Sequence, residues 1–131
     1  MPVPAGWVPE VVQMRATDAL GRHGEQLAAD LLIESGLTII DRNWRCRAGE
    51  IDIVAADGAV LVICEVKTRT GSVFGTPLEA ISRAKAARLR RLAIAWVTAH
   101  GVFFEQIRID AIGVLRAADG TFSLEHVRGV A

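Results

Sequence analysis

The stretch GEIDIVAADGAVLVICEVKTR, residues 49–69, decides the fold of this chain. Two apolar runs flank Asp57 and Gly58, a dipeptide that is among the strongest short signals for a β-hairpin. The second run ends at Glu65 and Lys67, and a buried strand accepts such charges only when something offsets their lost hydration. The two charges therefore form either a solvated ion pair at a strand end or part of a binding site.

The simplest hairpin register, with Asp57 and Gly58 at the centre of the turn, predicts which side chains share a face. It places Asp52 opposite Ile63. Because side chains alternate along a strand, one face is expected to carry Glu50, Asp52, Ile63, Glu65 and Lys67. The other face is expected to be apolar, with Ile51, Ile53, Val62, Cys64 and Val66.

This register predicts up to three carboxylates and one ammonium on the same side of adjacent strands. Like charges opposed across a sheet are destabilising, and Lys67 alone cannot neutralise them. A divalent cation can, since carboxylate oxygens suit hard ions such as Mg²⁺ or Mn²⁺. Glu25 borders the buried face of the preceding helix and is a further candidate ligand. A Glu-x-Lys pair is, however, also typical of a solvated strand edge, and a lone Glu25 of a helix surface.

The rest of the chain predicts a single α/β domain with the order α-β-β-β-α-β-β. Residues 1–16 are proline-rich and are expected to form an extended or poorly ordered arm, with the domain at residues 17–131. The first helix is predicted from Leu20 to Ser35. Strands are predicted at residues 37–45, 50–55, 59–66, 102–115 and 121–127, the last two separated by an Asp-Gly turn.

A second helix is predicted to begin at TPLE, residues 76–79, because this is a capping box with proline at the first helical position. It is expected to run to about His100 and to end at Gly101. Its apolar stripe is predicted to consist of Leu78, Ile81, Leu89, Leu92 and Trp96.

Composition excludes several classes of protein. The chain has 131 residues, 51% of them hydrophobic, and a formal net charge of zero, so it is neither a disordered tail nor a polybasic arm. Cys46 and Cys64 lack metal-type spacing. There is no signal-peptide pattern or apolar run of membrane-spanning length. We therefore expect a cytoplasmic protein with reduced thiols and no membrane association.

Five separate blocks of this sequence closely resemble the bacterial YraN family: GRHGEQLAADLLIESG, NWRCRAGEIDIVA, ICEVKTR, FGTPLEAISRAK and IRIDAI. That family resembles the PD-(D/E)xK nuclease superfamily, near the archaeal Holliday-junction resolvases. The resemblance covers roughly residues 20–115. It implies a restriction-endonuclease-like mixed sheet flanked by helices, and a metal-dependent endonuclease acting on DNA, including branched or structured DNA.

The resemblance also assigns roles to residues. Asp52 and Glu65 match the metal ligands of the superfamily, Glu25 matches the helix-borne glutamate of the resolvase-like branch, and Lys67 matches the catalytic lysine. Ile51 stands where many members have proline. Relatives of this kind act as two-fold pairs, so a homodimer is expected.

Three basic residues are candidates for nucleic-acid contacts. Arg45 and Arg69 flank the predicted site in sequence and are suited to bidentate phosphate binding. Lys85 begins a basic stripe on the second helix that would follow a nucleic-acid backbone, although such a stripe is also typical of a solvent-facing helix surface. Two alternatives to a DNA endonuclease remain open: a non-cleaving nucleic-acid-binding or scaffold protein that retains the nuclease fold, and an RNA-specific nuclease.

Overall fold

The computed structural model describes residues 16–71 and 81–130. Helices and strands in these ranges follow the predicted order α-β-β-β-α-β-β. They are α1 (Ala16–Glu34), β1 (Thr38–Cys46), β2 (Gly49–Asp57), β3 (Val60–Thr70), α2 (Arg83–His100), β4 (Gln106–Arg116) and β5 (Phe122–Val127). The predicted arm lies outside the described residues, apart from Ala16, which is the first residue of α1. Neither helix in these ranges is long and apolar enough to cross a membrane.

The five strands form one mixed sheet in the order β1-β2-β3-β4-β5. Neighbouring strands are antiparallel except β3 and β4, which are parallel over eleven paired residues from Val60–Gln106 to Thr70–Arg116. A parallel pair needs a crossover connection, and α2 lies within the segment that connects β3 to β4. The α/β class and the mixed sheet flanked by helices are therefore confirmed.

Each face of the sheet is covered by one helix. On one face Ala28, Ala29 and Leu32 of α1 pack against β2, β3 and β4. On the other face Leu89, Leu92 and Trp96 of α2 form a second core. The strand residues of the α1 core are Ile53, Ala55, Val62, Cys64, Val66, Ile112 and Val114. Those of the α2 core are Ile51, Val54, Leu61, Ile63 and Ile109.

Helix α1 lies very close to β3 at Gly24. An ideal Cβ atom at this position would overlap the side-chain hydroxyl of Thr68. A glycine with no Cβ atom lets the helix backbone lie directly against the strand. Glu25, the next residue, is thereby brought close to the end of β3, whereas a Cβ atom at Gly21 would meet nothing within 4 Å.

The predicted hairpin register is wrong by two residues. Asp57 pairs with Val60, so Gly58 and Ala59 form the turn, and Gly58 has a positive φ of 60°. Ile63 is consequently opposite Val54 rather than Asp52. A shift of two preserves the alternation of faces, and the predicted separation of Val62, Cys64 and Val66 from Ile63 is confirmed.

The prediction of one continuous second helix from residue 76 is also wrong. Ile81 and Ser82 are not helical, and α2 begins at Arg83 with Ser82 as its N-cap. The Ser82 hydroxyl accepts a hydrogen bond from the Lys85 backbone N–H at 3.1 Å. The TPLE capping box lies outside the described residues. The predicted end is confirmed, since Gly101 adopts the left-handed conformation as C-cap.

A buried polar network joins β4 to the chain that follows β5. Asp110 is fully buried and accepts hydrogen bonds from both Nε and Nη2 of Arg108, at 2.8 and 3.0 Å. His126 Nε2 lies 2.8 Å from the same carboxylate, and the Gly129 N–H donates to it at 3.0 Å. Burial tends to raise the pKa of Asp110, but these hydrogen bonds and the Arg108 charge hold it below its usual value. The network thus links β4 to β5 and to the residues that follow β5.

Candidate functional site

The sheet opens between β2 and β3 at Asp52. Their regular pairing ends at Ile53 and Cys64. Beyond that pair, Oδ2 of Asp52 accepts a hydrogen bond from the Val66 backbone N–H at 2.8 Å, so a side chain takes the position of a ladder carbonyl. The alternation of β2 also changes here, because Ile51 packs against α2 while Ile53 packs against α1. The prediction that Ile51 and Ile53 share a face is therefore wrong.

Carboxylates from three elements act on one another at this opening. The pKa of Asp52 is raised to about 7. Burial is the largest cause, the negative charge of Glu65 is the second, and Glu25 and Glu50 add to the effect. The hydrogen bond from the Val66 N–H opposes these contributions without cancelling them. The structure thus brings the predicted Glu25, Asp52 and Glu65 within electrostatic reach of each other. Their excess negative charge is not neutralised at Asp52.

Glu65 carries its own counter-charge. It is one of two buried charged residues among those described, the other being Asp110, and it points toward the α2 side of β3. The Lys85 ammonium lies 2.7 Å from Oε1 of Glu65. Lys85 was predicted as part of a basic stripe for nucleic acid, and the structure places it inside the candidate site instead of on an outer helix face.

Glu25 enters the site from α1. Burial raises its pKa, a side-chain hydrogen bond with Asn43 lowers it, and the charge of Glu50 raises it again. Asn43 has a φ of +51° within β1, the one positive φ among the described residues other than glycine. Asparagine tolerates this left-handed conformation better than most residues, but at a cost. The unusual backbone places the Asn43 amide against Glu25.

Lys67 and Arg69 line a groove beside the carboxylates. The groove has a volume of about 590 Å³ and lies between α1 and the end of β3. Its walls are formed by Leu20, Gly21, Glu25, Val66, Lys67, Thr68, Arg69 and Thr70. Along β3, Lys67 and Arg69 alternate with Thr68, whose side chain lies on the α1 face against Gly24. The two cationic residues therefore share the α2 side of β3 with Glu65.

Two further arginines border the site. Nε of Arg45 lies 3.1 Å from Oε2 of Glu50, but the Arg45 side chain is 76% exposed, so this ion pair contributes little stability. Arg88 of α2 donates from Nε to the Ala48 carbonyl at 3.3 Å. Arg45 thus lies at the rim of the site, where it can bind a ligand after breaking only a weak ion pair.

The donor set fits a hard divalent cation in its chemistry. Carboxylate oxygens are the ligands that Mg²⁺ and Mn²⁺ prefer, and such ions commonly take one or two protein carboxylates and complete their shell with water and phosphate. Within residues 16–71 and 81–130, no three His, Cys, Asp or Glu side chains already converge on one point. The chemistry of these carboxylates is compatible with such an ion.

Comparison with known proteins decides the family. The family model described as "Uncharacterised protein family UPF0102" matches residues 24–114. The chain belongs to this family. The resemblance to the YraN family is thereby confirmed, since the two names denote one family.

Curated UPF0102 proteins match over most of their length. One from Streptomyces griseus is 56% identical over 118 residues, which cover 89% of this chain and 99% of the relative. One from Nocardioides is 54% identical over 112 residues, covering 86% and 90%. One from Kineococcus radiotolerans is 50% identical over 121 residues, covering 92% and 99%. The similarity thus includes every element that contributes to the UPF0102 site described above.

Sequence reasoning did not assign two groups that the structure places at this site. They are the Asn43 side chain and the Val66 backbone N–H. An asparagine in the middle of a predicted strand is a signal for the first of them, because asparagine is depleted in strands and enriched at positive φ. The second depends on where β2 leaves β3.

Proposed function

We propose that this UPF0102 protein is a metal-dependent endonuclease that hydrolyses phosphodiester bonds in DNA, with Mg²⁺ or Mn²⁺ as its cofactor. The observation that supports this most is the raised pKa of Asp52, caused by burial and by the neighbouring Glu65. A cation placed between the Asp52 and Glu65 carboxylates would stabilise their ionised forms. Acids with a perturbed pKa next to a lysine, here Lys67 two residues after Glu65 on the same strand face, are typical of a functional site.

Each residue has a distinct proposed role. Asp52 and Glu65 would hold the ion, and Glu25 would contribute through a bound water or directly. When bound, such an ion lowers the pKa of water and polarises a phosphate oxygen. Lys67 would orient the attacking water or stabilise the negative charge that develops on the phosphate. Arg69 and Arg45 would bind neighbouring phosphates of the substrate.

Cleavage assays on matched substrates test the proposal. The full chain is incubated in enzyme excess with supercoiled plasmid, linear duplex and a four-way junction, each with Mg²⁺, Mn²⁺ or EDTA. We expect metal-dependent cleavage that falls by at least about 100-fold in Glu65→Gln and Lys67→Met. Glu34→Gln, which removes an exposed carboxylate at the end of α1, is the matched control and should retain full activity.

A non-cleaving nucleic-acid-binding protein is the second candidate. It is favoured by the ion pair between Lys85 and Glu65, which neutralises one proposed ligand within the chain itself. Calorimetry with Mn²⁺ distinguishes the two candidate functions, since a site that has lost its catalytic role is expected to bind no metal. Binding of DNA without metal binding or cleavage would favour this second candidate. Cleavage of matched RNA but not DNA would instead identify an RNA-specific nuclease.

A further inference from the structure

The Lys85–Glu65 ion pair has an unusual place in the fold. The Glu65 side chain is 11% exposed and the Lys85 side chain 33%. The backbone of Lys85 is held at the first turn of α2, because its N–H donates to the N-cap Ser82. The ammonium therefore reaches Glu65 from a fixed position, and the contact joins α2 to β3 next to the opening at Asp52.

A cation bound at Glu65 would meet this ammonium. At 2.7 Å from Oε1, the Lys85 ammonium occupies a position on the Glu65 carboxylate that a second cation would otherwise use. Two positive charges on one partly buried carboxylate repel each other strongly. Asp52 differs in this respect, because a neutral group, the Val66 N–H, donates a hydrogen bond to its carboxylate.

We propose that Lys85 is a positioning residue that holds Glu65 in the metal-free protein and competes with the divalent cation for this carboxylate. The inference rests on the proposed function, since it requires Glu65 to be a metal ligand. The absence of three converging acids among the described residues agrees with a Glu65 carboxylate that is drawn toward α2. A divalent cation held by Glu65 would take the place of the Lys85 ammonium, which would then be free to face a substrate phosphate.

The structure supplies a matched control for the charge of Lys85. Arg88 lies one turn further along α2 and carries the same charge near the same opening. Its guanidinium donates to the Ala48 carbonyl, a neutral acceptor. Removing Arg88 therefore changes the field at the site, whereas removing Lys85 changes the field and also frees a ligand.

The experiment is isothermal titration of Mn²⁺ into the full chain and into Lys85→Met, Arg88→Met and Glu65→Gln. We expect Lys85→Met to bind Mn²⁺ at least about tenfold tighter than the unmodified chain, because a charge-assisted hydrogen bond no longer has to be broken first. Arg88→Met should change the affinity less than about threefold, as expected for the loss of a partly screened charge. Lys85→Arg, which keeps the charge and its hydrogen bond, should bind no tighter than the unmodified chain.

The outcomes separate this inference from the proposed function. Equal or weaker binding by Lys85→Met overturns the role of Lys85, while the metal site stands if the unmodified chain binds Mn²⁺ and Glu65→Gln does not. Equal gains in Lys85→Met and Arg88→Met also overturn it, since net charge then explains both. If no variant binds Mn²⁺, both the metal site and the competition are refuted. A merely structural role predicts weaker binding in Lys85→Met, opposite to the expected result.

Discussion

Replacing Asp52 with asparagine should stabilise the metal-free protein, and increasingly so as the pH rises. Asparagine removes the negative charge but keeps an oxygen that accepts the hydrogen bond from the Val66 N–H. Burial and the charge of Glu65 raise the pKa of Asp52 from its ordinary value of 3.8 to about 7. Between these values the folded chain retains a proton that the unfolded chain has released. The stabilising effect of this proton is complete below pH 3.8 and is lost as the pH rises to about 7.

The size of the effect follows from the two pKa values. At 1.36 kcal/mol per pH unit, a rise from 3.8 to about 7 amounts to about 4 kcal/mol above pH 7. Between pH 5 and pH 8 the advantage of Asp52→Asn over the unmodified chain should grow by about 2.5 kcal/mol. This is a large fraction of the 5–15 kcal/mol that is typical of a domain, so it is readily measured.

Urea unfolding in EDTA, followed by tryptophan fluorescence, to which the buried Trp96 contributes, measures this difference at pH 5, 6, 7 and 8. The matched control is Asp30→Asn, which removes an exposed carboxylate of α1. A difference for Asp52→Asn that does not change with pH would refute the reasoning, because burial and Glu65 would then not disfavour the charged form of Asp52. A variant less stable than the unmodified chain at pH 8 would refute it as well.

Three further predictions concern the framework around the site. Gly21→Ala should stabilise α1 by about 0.5–1 kcal/mol, because the new methyl group meets open space. Gly24→Ala should destabilise the fold by about 1–3 kcal/mol, because its methyl group overlaps Thr68. Changes in the free energy of unfolding in urea that have the same sign for both variants would contradict this. Asp110→Asn should lower the free energy of unfolding by about 3–5 kcal/mol, since it breaks a buried ion pair. A free energy from thermal unfolding that lies within about 1 kcal/mol of that of the unmodified chain would contradict this. Ser82→Ala should cost about 1 kcal/mol and Ser82→Gly only a few tenths, so equal unfolding midpoints for the two would argue against the N-cap.

Much of the fold was predictable because the local preferences of the sequence agree with the structure that the sheet requires. The hairpin, the alternation along β3 and the glycine at the end of α2 follow from short-range chemistry that tertiary packing does not override. The register error illustrates the limit. An Asp-Gly pair indicates a two-residue turn, but whether Asp57 or Ala59 joins Gly58 in it depends on the packing of both strands, which the dipeptide does not encode.

The candidate site was predictable to a smaller extent. Asp52 and Glu65 were brought together by the hairpin alone, since an error of two residues preserves the face. Glu25 depended largely on a family resemblance, because spacing along a helix does not say which strand it will meet. Lys85 could not be assigned to Glu65 from its sequence, since its direction is set by a helix that begins at Arg83 and by the packing of that helix on β3.

The carboxylates meet at three departures from regular structure. β2 leaves β3 at Asp52, β1 adopts a positive φ at Asn43, and α1 carries a glycine in its interior at Gly24. Each departure has a conformational cost, of the order of 1 kcal/mol for the helical glycine and 1–3 kcal/mol for a strained backbone residue. Each of them brings a polar group to the same opening. Such costs persist where a function requires the geometry, and this convergence is the physical reason to look for the activity of this protein at Asp52.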